Sequence, residues 1–229
     1  MKKTLATVVL VLASSALWAD GGNLSKVNGS IRVESGRQVG SVETVNGSIE
    51  LGDSVTAGDI EAASGSIKIG GDSTVGMVNA RNGGATLGHG TKARSIKLVN
   101  GGLQLDQRTH VAGDVTSMNG AVKLGRGAQI EGHLENLNGK IELDAARIGK
   151  GITSTNGDIH IGAGSHVDGG ILVKKSEHSK FPSKRAPKVT IGPNAVVNGT
   201  LKFEREVELR IASSARVGEI VGATPIIEG

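Results

Sequence analysis

VNGSIELG, residues 45–52, joins an Asn-Gly turn to an apolar/polar alternation, and near-copies recur as VNGSIRVE, ASGSIKIG, VNGGLQLD, MNGAVKLG, LNGKIELD and TNGDIHIG. The turn dipeptides begin at Asn28, Asn46, Ser64, Asn82, Asn100, Asn119, Asn138 and Asn156, so successive copies lie 18 or 19 residues apart. A fixed period of this length marks a repeat architecture in which each unit buries its apolar side only against its neighbours. Counted from the Asn, the fourth position reads Ile31, Ile49, Ile67, Ala85, Leu103, Val122, Ile141, Ile159, and the sixth Val33, Leu51, Ile69, Leu87, Leu105, Leu124, Leu143, Ile161. Two apolar positions separated by one residue define the inward face of a short strand. Further apolar sites fall near position twelve (Val39, Ala57, Val75, Ala93, Val111, Ile130, Ile148, Val167) and at fifteen or sixteen (Val42, Ile60, Val78, Ile96, Val115, Leu134, Ile152, Ile171).

An antiparallel meander would use Asn-Gly as a type I′ hairpin turn, but it needs a reversal after every strand. Here the tight turn comes once per repeat and always in the same phase. The pattern therefore predicts an all-β fold, a single-stranded parallel β-helix in which equivalent residues stack about 4.8 Å apart. In this reading Asn-Gly occupies one corner because it tolerates left-handed backbone angles. The outward position between the two inward ones reads Arg32, Glu50, Lys68, Thr86, Gln104, Lys123, Glu142, His160. Arg32–Glu50–Lys68 and Lys123–Glu142–His160 alternate in sign, as neighbours on adjacent strands should. This ladder is a solvated face with no binding role.

After Val173 the phase breaks, then recovers with Val189 and Ile191, and again with Leu209 and Ile211. That makes about ten coils of 18–19 residues and a rod roughly 45–50 Å long. The segment KKSEHSKFPSKRAP, 174–187, replaces an Asn-Gly corner and is expected to protrude as a basic loop insertion within one β-helix domain, 20–229.

Residues 1–19 have the pattern of a secretory signal peptide: a basic MKK start, an apolar core from Leu5 to Leu12, and a small residue, Ala19, at the expected cleavage position. A retained anchor is the alternative, but the apolar run is short for a span, and no later run approaches spanning length. The protein is thus expected to be exported, to the periplasm or the cell surface, without a transmembrane segment after signal removal. Without cysteine, disulfides and a lipidated cysteine are excluded, and the core alone must hold the fold. Removal of residues 1–19 leaves two aromatics, Phe181 and Phe203, and lowers the formal charge from +4 to +2.

Charge is concentrated in one place. Lys174, Lys175, Lys180, Lys184, Arg185 and Lys188 stand against Glu177 alone, a net +5 from 174 to 188, so the rest of the mature chain carries −3. Such a loop can attract an anionic envelope glycan or lipid, with Phe181-Pro182 adding an apolar contact. The alternative is a tolerated insertion kept soluble by its charge. Nucleic acid is disfavoured by export and by the lack of stacking aromatics.

The histidines fall at scattered phases. Only His110 and His166 share one, three coils apart, too far for a common metal. There is no HExxH, no G-x-S-x-G elbow and no S-x-x-K nucleophile motif. A polysaccharide lyase or hydrolase would need clustered carboxylates and sugar-stacking rings, and calcium-binding nonapeptides would need recurring GGxGxD. The [LIV]-G steps at Leu51-Gly52, Ile69-Gly70, Leu124-Gly125 and Ile161-Gly162 are similar to those of hexapeptide acyltransferases, but no histidine site assembles around them. No cofactor is expected.

VNGSIELGDSVTAGDIEA (45–62) and AQIEGHLEN (128–136) resemble the bactofilins, bacterial proteins whose β-helices stack end to end into polymers. The recurring NGxIxL, AGDI and AGDV elements also look like exported adhesin-type β-strand repeats. The resemblance covers roughly residues 26–173 and 188–222. A signal peptide departs from bactofilins, which are cytoplasmic. It implies a non-enzymatic structural or adhesion-like module of the cell envelope whose partner is another copy, paired through ends such as 24–33 or 207–217.

Overall fold

The computed structural model describes residues 21–175 and 185–228. The expected signal peptide, Lys180 and Lys184, and the residues between 176 and 184 generally, lie outside that description.

The described chain is a parallel β-helix. Its strands form two sheets, one of 11 and one of 17 strands, and every pairing joins a strand to its equivalent in the next coil. In the coil that starts at Asn46, Ile49–Leu51 belongs to the smaller sheet. The chain then turns through Gly52 to Ser54, bridges at Thr56, and returns as Ile60–Ser64 in the larger sheet. In two coils these last segments fuse into nine-residue strands, Thr74–Asn82 and Lys92–Asn100. The register is in step throughout: Ile49 pairs with Ile31 and Ile67, and Leu51 with Val33 and Ile69.

The smaller sheet contains eleven strands among the described residues, one more than the ten coils read from the apolar spacing. The extra strand, Ile226–Glu228, pairs with Glu208–Ala212. Gly222-Ala223 stands at the corner position before it and Pro225 aligns with the inward Leu209, so the segment lies outside the repeat pattern.

The predicted inward positions form the core, an aliphatic column that includes Ile49, Leu51, Ile60, Ile67, Leu87, Leu103 and Leu105. Two further inward columns are present. A column at or near position ten holds Val55, Ser73, Thr91, Thr109, Ala128, Ala146 and Ser165, with Ala195 continuing it, all buried. Another column, inside the third side of the coil, holds Thr44, Ala62, Ala80, Leu98, Ser117, Asn136, Ser154, Val173 and Phe203. Its polar members are only partly satisfied. Asn136 Nδ2 donates to Gly120 O at 3.1 Å and Gly139 O at 3.0 Å, whereas Ser117 Oγ, Asn136 Oδ1 and Ser154 Oγ have no partner among the described residues.

Within the Asn-Gly corner the two residues divide the work. Positive φ is found at the glycine and not at the asparagine: Gly65 has φ +133° and Gly139 +135°. The glycine also permits close approach, because a Cβ on Gly65 would lie 2.0 Å from Gly47 O in the coil below. The asparagines instead build a ladder. Asn46 Nδ2 donates to Asn28 Oδ1 at 3.1 Å, and the run Asn156→Asn138→Asn119→Asn100→Asn82 continues at 2.8–2.9 Å per step. Ser64 interrupts it. Asn suits this stack because its short side chain ends in separate donor and acceptor atoms, one for each neighbouring coil.

Candidate functional site

The sequence singles out the missing corner at 174–188 and the two ends, and the structure describes what surrounds each. Lys174 follows Gly170–Val173 of the larger sheet, and Lys188 opens Lys188–Ile191 of the smaller one. Three of the four described basic residues face acidic partners. Lys174 lies 3.5 Å from Glu135, Arg185 2.6 Å from Asp158, and Lys188 4.0 Å from Glu208. Asp158 also accepts the backbone N–H of Lys188 at 2.9 Å, fixing the point where the chain re-enters the coil. Lys175 is exposed.

Where the corner is missing, Arg205 takes its place. Its guanidinium reaches back to donate to Asn156 Oδ1 at 2.9 Å and to Thr155 O at 3.2 Å, closing the asparagine ladder with a cation. Thr153 and Thr155, at positions that alternate with the inward Ser154, are each only 7% exposed. Nothing in the repeat consensus signals this contact, because Arg205 lies in an irregular stretch some 50 residues away.

The histidines are separated as expected. His110 stacks through Gln129 and Arg147 to His166, three coils along one column. Asp168 pairs with Arg147 at 2.7 Å and with His166 at 2.8 Å, and His89 lies 3.3 Å from Asp72. Among the described residues no three His, Asp or Glu side chains converge as metal donors. A polar groove on one corner is lined by His89, Asp106, Arg108, Arg126 and Asp144, charges of mixed sign. On the outward ladder Arg32 meets Glu50 at 2.5 Å and Lys123 meets Glu142 at 3.3 Å. The hydrogen bond from Lys140 chiefly, and that from Lys123, holds the Glu142 carboxyl below its ordinary range.

His133 is the most constrained imidazole. Its Nε2 lies 2.8 Å from Thr153 Oγ1, and its backbone N–H donates to Asp114 Oδ1 at 2.8 Å. Burial lowers its pKa below the ordinary 6.5, with Lys174 and Lys150 adding to the effect and Glu135 and Asp114 opposing it. The unfolded chain therefore takes up this proton first as pH falls. The stability contribution is complete above about pH 6.5 and declines below it. His133→Gln should flatten that part of the pH dependence, read as urea midpoints at neutral and mildly acidic pH. An unchanged dependence would exclude His133 as its source.

At the amino-terminal end two inward columns begin with charged residues. Lys26 pairs in register with buried Thr44 and donates to Ser30 O at 3.0 Å. Arg37 stands one residue before the Gln38–Thr56 bridge, in line with buried Val55. The carboxy-terminal end is apolar. Ile226 and Ile227 are 52% and 61% exposed, and Val221 42%. Because Ile226–Glu228 covers Glu208–Ala212, the outer edge lies at 216–217, 220–221 and 226–228, so that only Arg216 and Val217 of the expected 207–217 segment belong to it. Arg210 anchors this edge, bonding Glu208 at 2.5 Å and Glu228 at 2.8 Å.

This arrangement defines a β-solenoid protein built on a rigid rod. No protein-family model, curated protein or solved structure matches the chain. Among the described residues no helix is long and apolar enough to cross a membrane.

Proposed function

We propose that the protein is a non-enzymatic, exported structural rod of the bacterial cell envelope that associates with a second copy through its carboxy-terminal coil. The reading is supported chiefly by the edge at 216–228, which is unpaired among the described residues and carries exposed Ile226, Ile227 and Val221. An open strand edge with apolar side chains is a template for pairing. The bactofilin-like repeats, which in that family stack end to end, support the same reading. The amino-terminal coil is the poorer partner, since stacking on it would take Lys26 and Arg37 out of water at a cost of several kcal/mol. Inward charges of this kind are a known protection against edge pairing.

The test is sedimentation velocity of residues 20–229 over a wide concentration range, alongside Ile227→Lys. The expected result is a dimer that the substitution dissociates. A monomer at every concentration would refute the proposal, and long filaments in electron microscopy would show that the amino-terminal coil also engages.

The second reading, contact with an anionic glycan or lipid through Lys174, Lys175, Lys180, Lys184, Arg185 and Lys188, rests on the net +5 of that segment. The ion pairs to Glu135, Asp158 and Glu208 already engage half of these side chains. Salt-sensitive binding to anionic vesicles or lipopolysaccharide, abolished by neutralising all six, would support it. Binding that survives neutralisation would exclude the segment.

A further inference from the structure

The chain contains eight Asn-Gly pairs, at 28, 46, 82, 100, 119, 138, 156 and 198. Asparagine is a thermolabile residue, and before glycine it has an intramolecular route to aspartate, because the small glycine leaves its own backbone nitrogen free to reach the asparagine Cγ. The solenoid blocks that nitrogen at most corners. Gly29, Gly47, Gly83, Gly101 and Gly120 each donate their N–H to the corner carbonyl of the next coil at 2.7–2.8 Å, and Gly199 donates to Gly169 O at 3.0 Å. Gly139 and Gly157 have no such acceptor among the described residues. At the next corner Asn156 N–H bonds instead to Leu137 O, and beyond Asn156 the corner is replaced by the insertion.

The two remaining pairs differ in their electrophile. The Asn138 carboxamide is held between two neutral amides, those of Asn119 and Asn156. That of Asn156 donates to Asn138 but accepts from the Arg205 guanidinium at 2.9 Å. We propose that Asn156 is a self-modification site, converted spontaneously to aspartate or isoaspartate with Arg205 stabilising the reacting carbonyl. The Gly157 nitrogen, its proton lost to solvent base, bonds to Asn156 Cγ. The oxyanion that forms at Oδ1 faces the guanidinium, the arrangement by which a fixed donor stabilises a tetrahedral intermediate. Nδ2 takes a proton and leaves as ammonia, closing a succinimide, and one water then opens the ring at either carbonyl. Overall one water is consumed and one ammonia released.

The product places a carboxylate beside Arg205 and removes the donor from Asn138 Oδ1, so the ladder loses its last rung. Isoaspartate would in addition lengthen the backbone there.

The experiment incubates the folded full chain at mildly alkaline pH and follows each Asn-Gly pair by peptide mapping, which resolves aspartate and isoaspartate. Asn156 should convert first and Asn138 second, with Asn156 outpacing Asn100 and Asn119 by at least about tenfold. Arg205→Met should slow conversion at 156 while leaving 100 and 119 unchanged, and those two sites in the same digest report whether the variant is folded. In urea the sites should converge. Conversion of Asn156 no faster than Asn100 in the folded wild-type chain would overturn the proposal, as would an undiminished rate at 156 in a folded Arg205→Met chain.

Discussion

Gly65→Ala should lower the melting temperature by about 6–12 °C, corresponding to about 3 kcal/mol in a chain of this size. Two effects add. Residue 65 sits at φ +133°, where an L side chain costs about 1–3 kcal/mol. The new Cβ would also lie 2.0 Å from Gly47 O and 2.5 Å from Gly47 C, both backbone atoms of the coil below. Relief requires these two coils to part, which stretches the Gly47 N–H to Ser64 O bond, 2.8 Å, that joins them. Gly36→Ala is the control. That residue has φ +74°, but a Cβ there meets nothing within 4 Å, so only the conformational cost remains. Thermal melts followed by circular dichroism separate the two. Equal shifts would mean that close approach between coils contributes nothing.

Leu103→Ala should cost about 2–5 kcal/mol, the range for a buried leucine whose cavity cannot collapse. Leu103 is 2% exposed and stacks between Ala85 and Val122. Ala85 is already small, so nothing adjacent can fill the space. In a rod where each coil touches only its neighbours, a defect in the middle weakens both flanking interfaces and permits the halves to unfold separately. Leu209→Ala, next to the last strand, removes the same atoms but frees a much shorter stretch of chain. Denaturant unfolding should therefore broaden for Leu103→Ala more than for Leu209→Ala. Identical, equally sharp transitions would show that the solenoid unfolds as one unit.

The coil was legible in the sequence because its apolar positions alternate with polar ones at fixed phase, as Ile49-Glu50-Leu51 does, and because an 18-residue period leaves few architectures. The columns through Ser73, Thr91 and Thr109 and through Thr44, Ser117, Asn136 and Ser154 were not legible, since hydroxyls and amides read as surface. Carbonyls receive several of them inside, Thr109 Oγ1 donating to Asp106 O at 2.7 Å, Thr91 Oγ1 to Gly70 O at 2.9 Å and Thr44 Oγ1 to Gly29 O at 3.2 Å, whereas Ser117 Oγ and Ser154 Oγ have no partner among the described residues. The strand Ile226–Glu228 was missed because it has neither the corner dipeptide of the first eight coils nor the apolar-polar-apolar alternation by which Val189-Thr190-Ile191 and Leu209-Arg210-Ile211 were recognised. The basic segment stood out in composition, but its neutralising partners did not. Glu135 and Glu208 are ordinary outward charges, brought beside Lys174 and Lys188 by coil stacking rather than by sequence proximity.

The asparagine ladder has an electrical consequence. From Asn156 to Asn82 every amide points the same way, its nitrogen toward the amino-terminal coil and its oxygen toward the carboxy-terminal one. Aligned amides polarise one another and add head to tail, as peptide groups do along a helix axis. The row is thus a side-chain counterpart of the helix dipole laid along the outside of a β structure. Its negative pole is Asn156 Oδ1, where the Arg205 guanidinium stands as a lysine or arginine does at a helix carboxy terminus. Its positive pole is the Asn82 amide, beside the break at Ser64. A rod without a single α-helix among its described residues therefore carries a directional field along one edge, with a defined start and a charged stop.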